Sequence, residues 1–176
     1  EPTMNQPNDI AMSADGTLWA SDPDWKNSTG QLWRIDTNGK VTKLASGMGT
    51  TNGIDVSPDG KILYVNESNQ RNVWAFDIQP DKSIYGKRLL VQFPDHGMDG
   101  MRCDVDGNLW CGWGMGTAEQ DGVKIFDPSG KAIGFIALPE RCANVCFGGP
   151  RRNRLYICGS TSLYAVYTSA QGALKP

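Results

Sequence analysis

Four times along its 176 residues the chain returns to the same short pattern, and that recurrence constrains its fold more than any single motif. Asn8-Asp9-Ile10, Asn52-Gly53-Ile54, Asp99-Gly100-Met101 and Asn144-Val145-Cys146 begin 44, 47 and 45 residues apart. Seven residues after the first position of the first three units comes an Asp-Gly pair: Asp15-Gly16, Asp59-Gly60 and Asp106-Gly107; in the fourth unit Arg151 falls there. Asp-Gly between alternating apolar runs favours a hairpin, because Gly takes positive φ cheaply and Asp tolerates it. A second strand is predicted behind each turn at Leu18-Trp19-Ala20, Leu63-Tyr64-Val65, Leu109-Trp110-Cys111 and Leu155-Tyr156-Ile157. Third strands follow at 31–35, 73–76, 123–126 and 162–166, and fourth strands at 41–44, 88–91 and 132–136.

Four strands in about 45 residues is the unit of a β-propeller blade. A lone four-stranded sheet exposes both faces, so such units are stable only when stacked around an axis. The expectation is therefore an all-β chain, a single propeller domain over 1–176 with four blade-like repeats starting near 8, 52, 99 and 144. The last unit ends in Gly172-Ala173-Leu174-Lys175-Pro176, too short for an outer strand, and reads as an unfinished blade. Two architectures fit: a small four-bladed ring, or part of a larger propeller.

Composition narrows the partners. A formal net charge of -2 gives no electrostatic footprint for nucleic acid. No apolar run approaches the roughly 20 residues that span a bilayer, so no membrane role is expected and the chain reads as soluble. It begins at Glu1, so a removed targeting segment would leave no trace and the compartment stays open. Five cysteines (Cys103, Cys111, Cys142, Cys146, Cys158) without a CxxC pair read as free thiols rather than a disulfide framework or a zinc site; cross-strand bridges Cys103–Cys111 and Cys146–Cys158 are the alternative.

Equivalent positions in successive blades take equivalent radial places, so Asn8, Asn52, Asp99 and Asn144 should point toward one axis. Converging oxygens with little formal charge suit a hard cation; the alternative is that they only cap strand starts and turns. His96 is the single histidine, which excludes a three-histidine zinc site, and there is no GxSxG nucleophile elbow. His96 itself reads as a loop residue at a pocket rim. The acidic residues mostly fall in turns, such as Asp36, Asp77 and Asp127, and identify no glycosidase carboxylate pair. Gly114-Met115-Gly116 and Gly148-Gly149-Pro150 lack the ending of a phosphate loop. Trp25 and Trp113, after second strands, are candidates for a pocket wall or for packing.

Gln6-Pro7-Asn8-Asp9, Thr51-Asn52-Gly53-Ile54, Ser57-Pro58-Asp59-Gly60-Lys61, Leu63-Tyr64-Val65, Met98-Asp99-Gly100-Met101 and Cys146-Phe147-Gly148-Gly149, in this order, resemble the SMP-30/gluconolactonase/luciferin-regenerating enzyme family. The resemblance covers essentially the whole chain. It implies a six-bladed propeller, of which this chain is the C-terminal part, and one divalent cation in the central channel: Ca²⁺ first, with Zn²⁺, Mg²⁺ or Mn²⁺ as alternatives. It implies Asn52 and Asp99 as metal ligands, with Asp99 also the catalytic base, and Asn8 and Asp22 as substrate-binding residues. The family's acidic ligand from the first blade has no counterpart here, which implies an upstream segment of the same protein as partner. The implied activity is hydrolysis of a small sugar lactone. The alternatives are a binding scaffold or inactive fragment without turnover, and a hydrolase of aryl esters or organophosphates on the same fold.

Overall fold

The computed structural model describes residues 3–94 and 97–173. Four antiparallel sheets follow one another in sequence. The first contains β1 (Ile10–Met12), β2 (Leu18–Asp24), β3 (Thr29–Ile35) and β4 (Val41–Met48); the second β5 (Thr51–Val56), β6 (Ile62–Glu67), β7 (Asn72–Ile78) and β8 (Ile84–Gln92). The third contains β9 (Gly97–Cys103), β10 (Leu109–Gly114), β11 (Gly122–Phe126) and β12 (Ala132–Ala137); the fourth β13 (Cys142–Gly148), β14 (Arg154–Gly159) and β15 (Leu163–Tyr167). The sheets are four propeller blades, and their first strands β1, β5, β9 and β13 lie beside one another in that order. The fourth blade has three strands among the described residues. The tail runs away from β15 instead: Val105 N–H donates to the Gln171 carbonyl and Ala173 N–H to that of Cys103, beneath the third blade. His96, Glu1 and Leu174–Pro176 lie outside the described residues.

The Asp-Gly turns form as expected. Gly16, Gly60 and Gly107 have φ of 81°, 72° and 82°, and each N–H donates to the carbonyl three residues back. Alternation along the strands then feeds two neighbours at once. On β6, Leu63 and Val65 pack with Trp19, Leu32 and Ile54 between the first two blades, while Tyr64 faces Met98, Met101 and Leu109 of the third. On β10, Leu109 and Cys111 face the second blade and Trp110 faces Val145, Leu155 and Ile157 of the fourth. The core is thus a series of seams between blades.

None of the five cysteines is bridged to another. Register explains it: Cys103 pairs with Leu109 and Cys111 with Met101, while Cys146 pairs with Tyr156 and Cys158 with Asn144. Trp113 is buried in the core, with Phe93 edge-on at 4.7 Å, while Trp25 stays 40% exposed on its loop.

One irregularity recurs at the same place in three inner strands. Between Thr51 and Ile54, Met98 and Met101, and Cys142 and Val145, the inner strand carries one residue more than its partner. Such a bulge bends the strand and re-aims a side chain. Its residues are Asn52-Gly53, Asp99-Gly100 and Ala143-Asn144. The glycines are required by close approach: a Cβ on Gly53 would strike the Asp99 carbonyl oxygen, and one on Gly100 the Asn144 side chain. The first is a backbone contact that no rotamer change relieves. Gly53→Ala is expected to cost about 2 kcal/mol, as overpacking does, and to displace β9 at Asp99; urea denaturation against the unchanged chain measures it.

The register also corrects the fourth repeat. Ile10, Ile54, Met101 and Val145 are equivalent, opposite Ala20, Val65, Cys111 and Ile157. Ala143, not Asn144, therefore stands at the level of Asn8, Asn52 and Asp99. Asn144 shares the level of Asp9, Gly53 and Gly100, and the fourth unit starts one residue earlier than the repeat suggested.

Candidate functional site

Asn52 sits on the β5 bulge, 3% exposed. Its Nδ2 donates to Ser68 Oγ at 2.9 Å, whereas its Oδ1, shut off from solvent, accepts no hydrogen bond. Buried acceptors almost always find donors; among the described residues Asn66 Oδ1 and Asn72 Oδ1 are orphaned too, and Asn52 Oδ1 is the amide oxygen of the three that stands on an inner strand. The scaffold around it is tied to the next blade. Ser68 Oγ donates to the Met98 carbonyl at 2.7 Å, and Asn66 Nδ2 donates to the same carbonyl at 2.6 Å and to that of Asp99 at 3.2 Å. These bonds fix the backbone of β9 where it presents Asp99.

The Asp99 carboxylate is partly buried, with its side chain 21% exposed. Burial pushes its pKa above the ordinary carboxylate value, against the pull of the Arg141 guanidinium and a hydrogen bond from Asn52. Register sets the two predicted metal ligands at one level of neighbouring inner strands. Arg141, in the turn before β13, places Nη2 2.5 Å from Asp99 Oδ2.

Asn8 holds the matching level at the entry to β1. Its side chain is solvent-exposed, and its backbone N–H donates to the Ser21 carbonyl at 2.9 Å. Asn144 is turned to local work: its Oδ1 accepts Val145 N–H at 2.8 Å.

Asp22 is not brought to the channel. It is fully buried, and its two oxygens accept from Asn5 N–H, Gln6 N–H, Gln31 Nε2 and Trp33 Nε1 at 2.7 to 3.2 Å. Four donors leave it little capacity for another ligand. Register makes Glu67 its equivalent in the second blade. Glu67 does the same work, accepting Gly49 N–H at 2.7 Å and Trp74 Nε1 at 2.7 Å. Asp22 thus anchors the segment Asn5-Gln6 that leads into Asn8.

Sequence reasoning missed Arg141, Asn66 and Ser68. Asn66 and Ser68 flank Glu67 outside the repeating pattern, and Arg141 stands in a connecting turn, so periodicity carried no signal for any of them. It also missed a second ion pair below the ring. Asp9 accepts Arg102 Nη1 and Nη2, each at 3.1 Å, and that guanidinium also donates to the carbonyls of Met101, Ile54 and Ile10.

The donors present fit a hard divalent cation: one carboxylate and one unpartnered amide oxygen, both on rigid inner strands. No cluster of three or more His, Cys, Asp or Glu side chains exists among the described residues, so a site built from this chain alone relies on oxygens beyond the carboxylate. No helix among them is long and apolar enough to cross a membrane.

Comparison with known proteins gives one consistent family. The profile described as SMP-30/Gluconolactonase/LRE-like region matches residues 1–161. A gluconolactonase of Zymomonas mobilis is 28% identical over 193 aligned residues, covering 96% of this chain and 52% of that protein. The solved structure of a gluconolactonase from Xanthomonas campestris aligns with a TM-score of 0.79 at 27% identity, over 96% of this chain and 58% of that one. The calcium-binding protein regucalcin from Agrobacterium tumefaciens, 23% identical, shares the fold with a TM-score of 0.82 over 97% of this chain and 63% of its own. The chain spans about half the length of the curated relatives it matches.

Proposed function

Because the chain belongs to the SMP-30/Gluconolactonase/LRE-like family, we propose that Asn52 and Asp99 hold one divalent cation, Ca²⁺ first among candidates, and that the whole protein opens a sugar lactone. The observation that carries this reading is the buried Asn52 Oδ1, which accepts no hydrogen bond and stands on an inner strand at the register level of Asp99. Relatives named as lactonases support hydrolysis at the level of the family. The four blades take up 58% to 64% of the related solved chains, which supports a larger propeller around the same axis.

The cation, when bound, supplies Lewis acidity toward the lactone carbonyl. Asn52 contributes a neutral ligand and Asp99 the charge. Asp99 would also accept a proton from the attacking water through whichever carboxylate oxygen is not engaged. Water adds to the carbonyl carbon, the ring ester C–O bond breaks, and the proton passes to the ring oxygen to leave a hydroxy acid. Asn8, exposed at the same level of the first blade, orients sugar hydroxyls. Asp22 serves indirectly, by holding the segment that carries Asn8.

Titration calorimetry with Ca²⁺, Mg²⁺, Mn²⁺ and Zn²⁺ tests the site, and proton release from sugar lactones tests turnover. Asn52→Ala is expected to weaken cation binding by about tenfold, roughly 1.4 kcal/mol. Unchanged affinity in that variant removes Asn52 from the ligand set. Cation binding without lactone opening, in the whole protein, would select the scaffold reading instead.

A further inference from the structure

Arg141 occupies a position that a cation ligand set should not tolerate. Its guanidinium, a positive charge, contacts Asp99 Oδ2. Among the described residues that is the guanidinium's one hydrogen bond. A divalent ion on the same carboxylate would therefore meet a fixed positive charge within a few ångström.

The two partners differ in freedom. Asp99 is locked by the β9 bulge and by the bonds from Asn66 and Ser68 to the adjoining carbonyls. Arg141 stands in a turn and its side chain is 38% exposed. Its stem passes over Gly114, where any Cβ would collide with its Cγ. That glycine makes room for the stem against the end of β10, and the partial exposure of the side chain leaves its charged end open to water.

We propose that Arg141 is a tethered counter-ion that neutralises Asp99 in the cation-free chain and is displaced when the divalent cation binds. The inference rests on the cation reading given above. It accounts for a partly buried carboxylate that is never left unpaired, a state that would be costly. It also sets the apparent affinity, because only the fraction of molecules with Arg141 swung away is competent to bind.

The test is calorimetric titration of the full chain with Ca²⁺ at fixed ionic strength, with Arg141→Gln and Arg141→Lys beside the unchanged protein. Arg141→Gln is expected to bind Ca²⁺ about tenfold tighter, with Arg141→Lys between the two. Thermal denaturation in chelator and in Ca²⁺ gives a second readout. The Ca²⁺-induced rise in melting temperature should be larger for Arg141→Gln, whereas a merely structural arginine would lower both temperatures alike. Equal or weaker Ca²⁺ affinity in Arg141→Gln overturns the proposal. If the unchanged chain does not bind Ca²⁺ but Arg141→Gln does, the proposal is supported in its strongest form. If neither binds at millimolar Ca²⁺, this proposal and the cation reading fall together; if both bind equally, this proposal alone falls.

Discussion

Asp99→Asn is expected to lower the affinity for a divalent cation by about a hundredfold, or roughly 2.7 kcal/mol, while leaving the propeller folded. The side chain keeps its size, and the hydrogen bonds from Asn66 and Ser68 go to backbone carbonyls of Met98 and Asp99 that the substitution does not touch. What is lost is charge, in a ligand pair whose other member, Asn52, is neutral. Burial already works against that charge, as the raised pKa shows, so removing it should not destabilise the chain; the partner it abandons, Arg141, is part-exposed and is free to turn to solvent. The same shift sets a pH dependence. A carboxyl whose folded pKa is raised becomes protonated at a higher pH than an exposed aspartate, and the protonated form is a poor ligand. Affinity in the unchanged protein is therefore full above that raised pKa and falls by about tenfold per pH unit below it, while Asp99→Asn shows a flat profile. Calorimetry across a pH series reads both effects, and an Asn variant within threefold of the parent would remove Asp99 from the site.

The architecture was legible because it repeats. Asp15-Gly16, Asp59-Gly60 and Asp106-Gly107 mark turns by their own chemistry, and the Leu-aromatic runs behind them mark strands by alternation, so blade count and strand order followed. The site was legible in part. Asn52 and Asp99 could be placed at one level because bulges leave the blade period intact. A bulge has no sequence signature of its own, however, and the glycine after it in two blades is demanded by the neighbouring inner strand. In the fourth blade that glycine is Asn144, which made an out-of-register asparagine look like a ring member. Asp22 misled for another reason: an acidic residue at the end of a second strand looks the same in sequence whether it faces a ligand or, like Glu67, satisfies an indole and backbone N–H groups. Arg141 meets Asp99 across 42 residues through a turn, and pairings of that kind are fixed by packing alone.

Arg102→Met is expected to cost about 3 kcal/mol of stability, the largest effect for any group that touches no proposed ligand. Asp9 is 8% exposed at its side chain, and Arg102, at 24%, lies just below the ring level. Removing the guanidinium leaves the buried Asp9 carboxylate without its countercharge, held among the described residues only by the Ile10 and Ile54 N–H groups, and unties three inner strands at once, because Arg102 also donates to the carbonyls of Ile10, Ile54 and Met101. Breaking one side of a buried pair costs about 3–5 kcal/mol, and the residual exposure of Arg102 places this case at the lower end. For a chain of this length that lowers the melting temperature by roughly 6–12 °C. Arg88→Met is the control, since the Arg88–Asp77 pair is about half exposed on both sides and such pairs contribute about 1 kcal/mol or less. Adding Asp9→Asn to Arg102→Met removes the uncompensated charge and should recover part of the loss; equal losses in Arg102→Met and Arg88→Met would show that the clamp adds nothing beyond a surface pair. The consequence reaches the site through geometry, for Asp9 adjoins Asn8 and Arg102 follows Asp99 by three residues on β9. Loosening the clamp lets the first and third blades shift at the level of the ligands, so Arg102→Met should also weaken cation binding without contacting the cation.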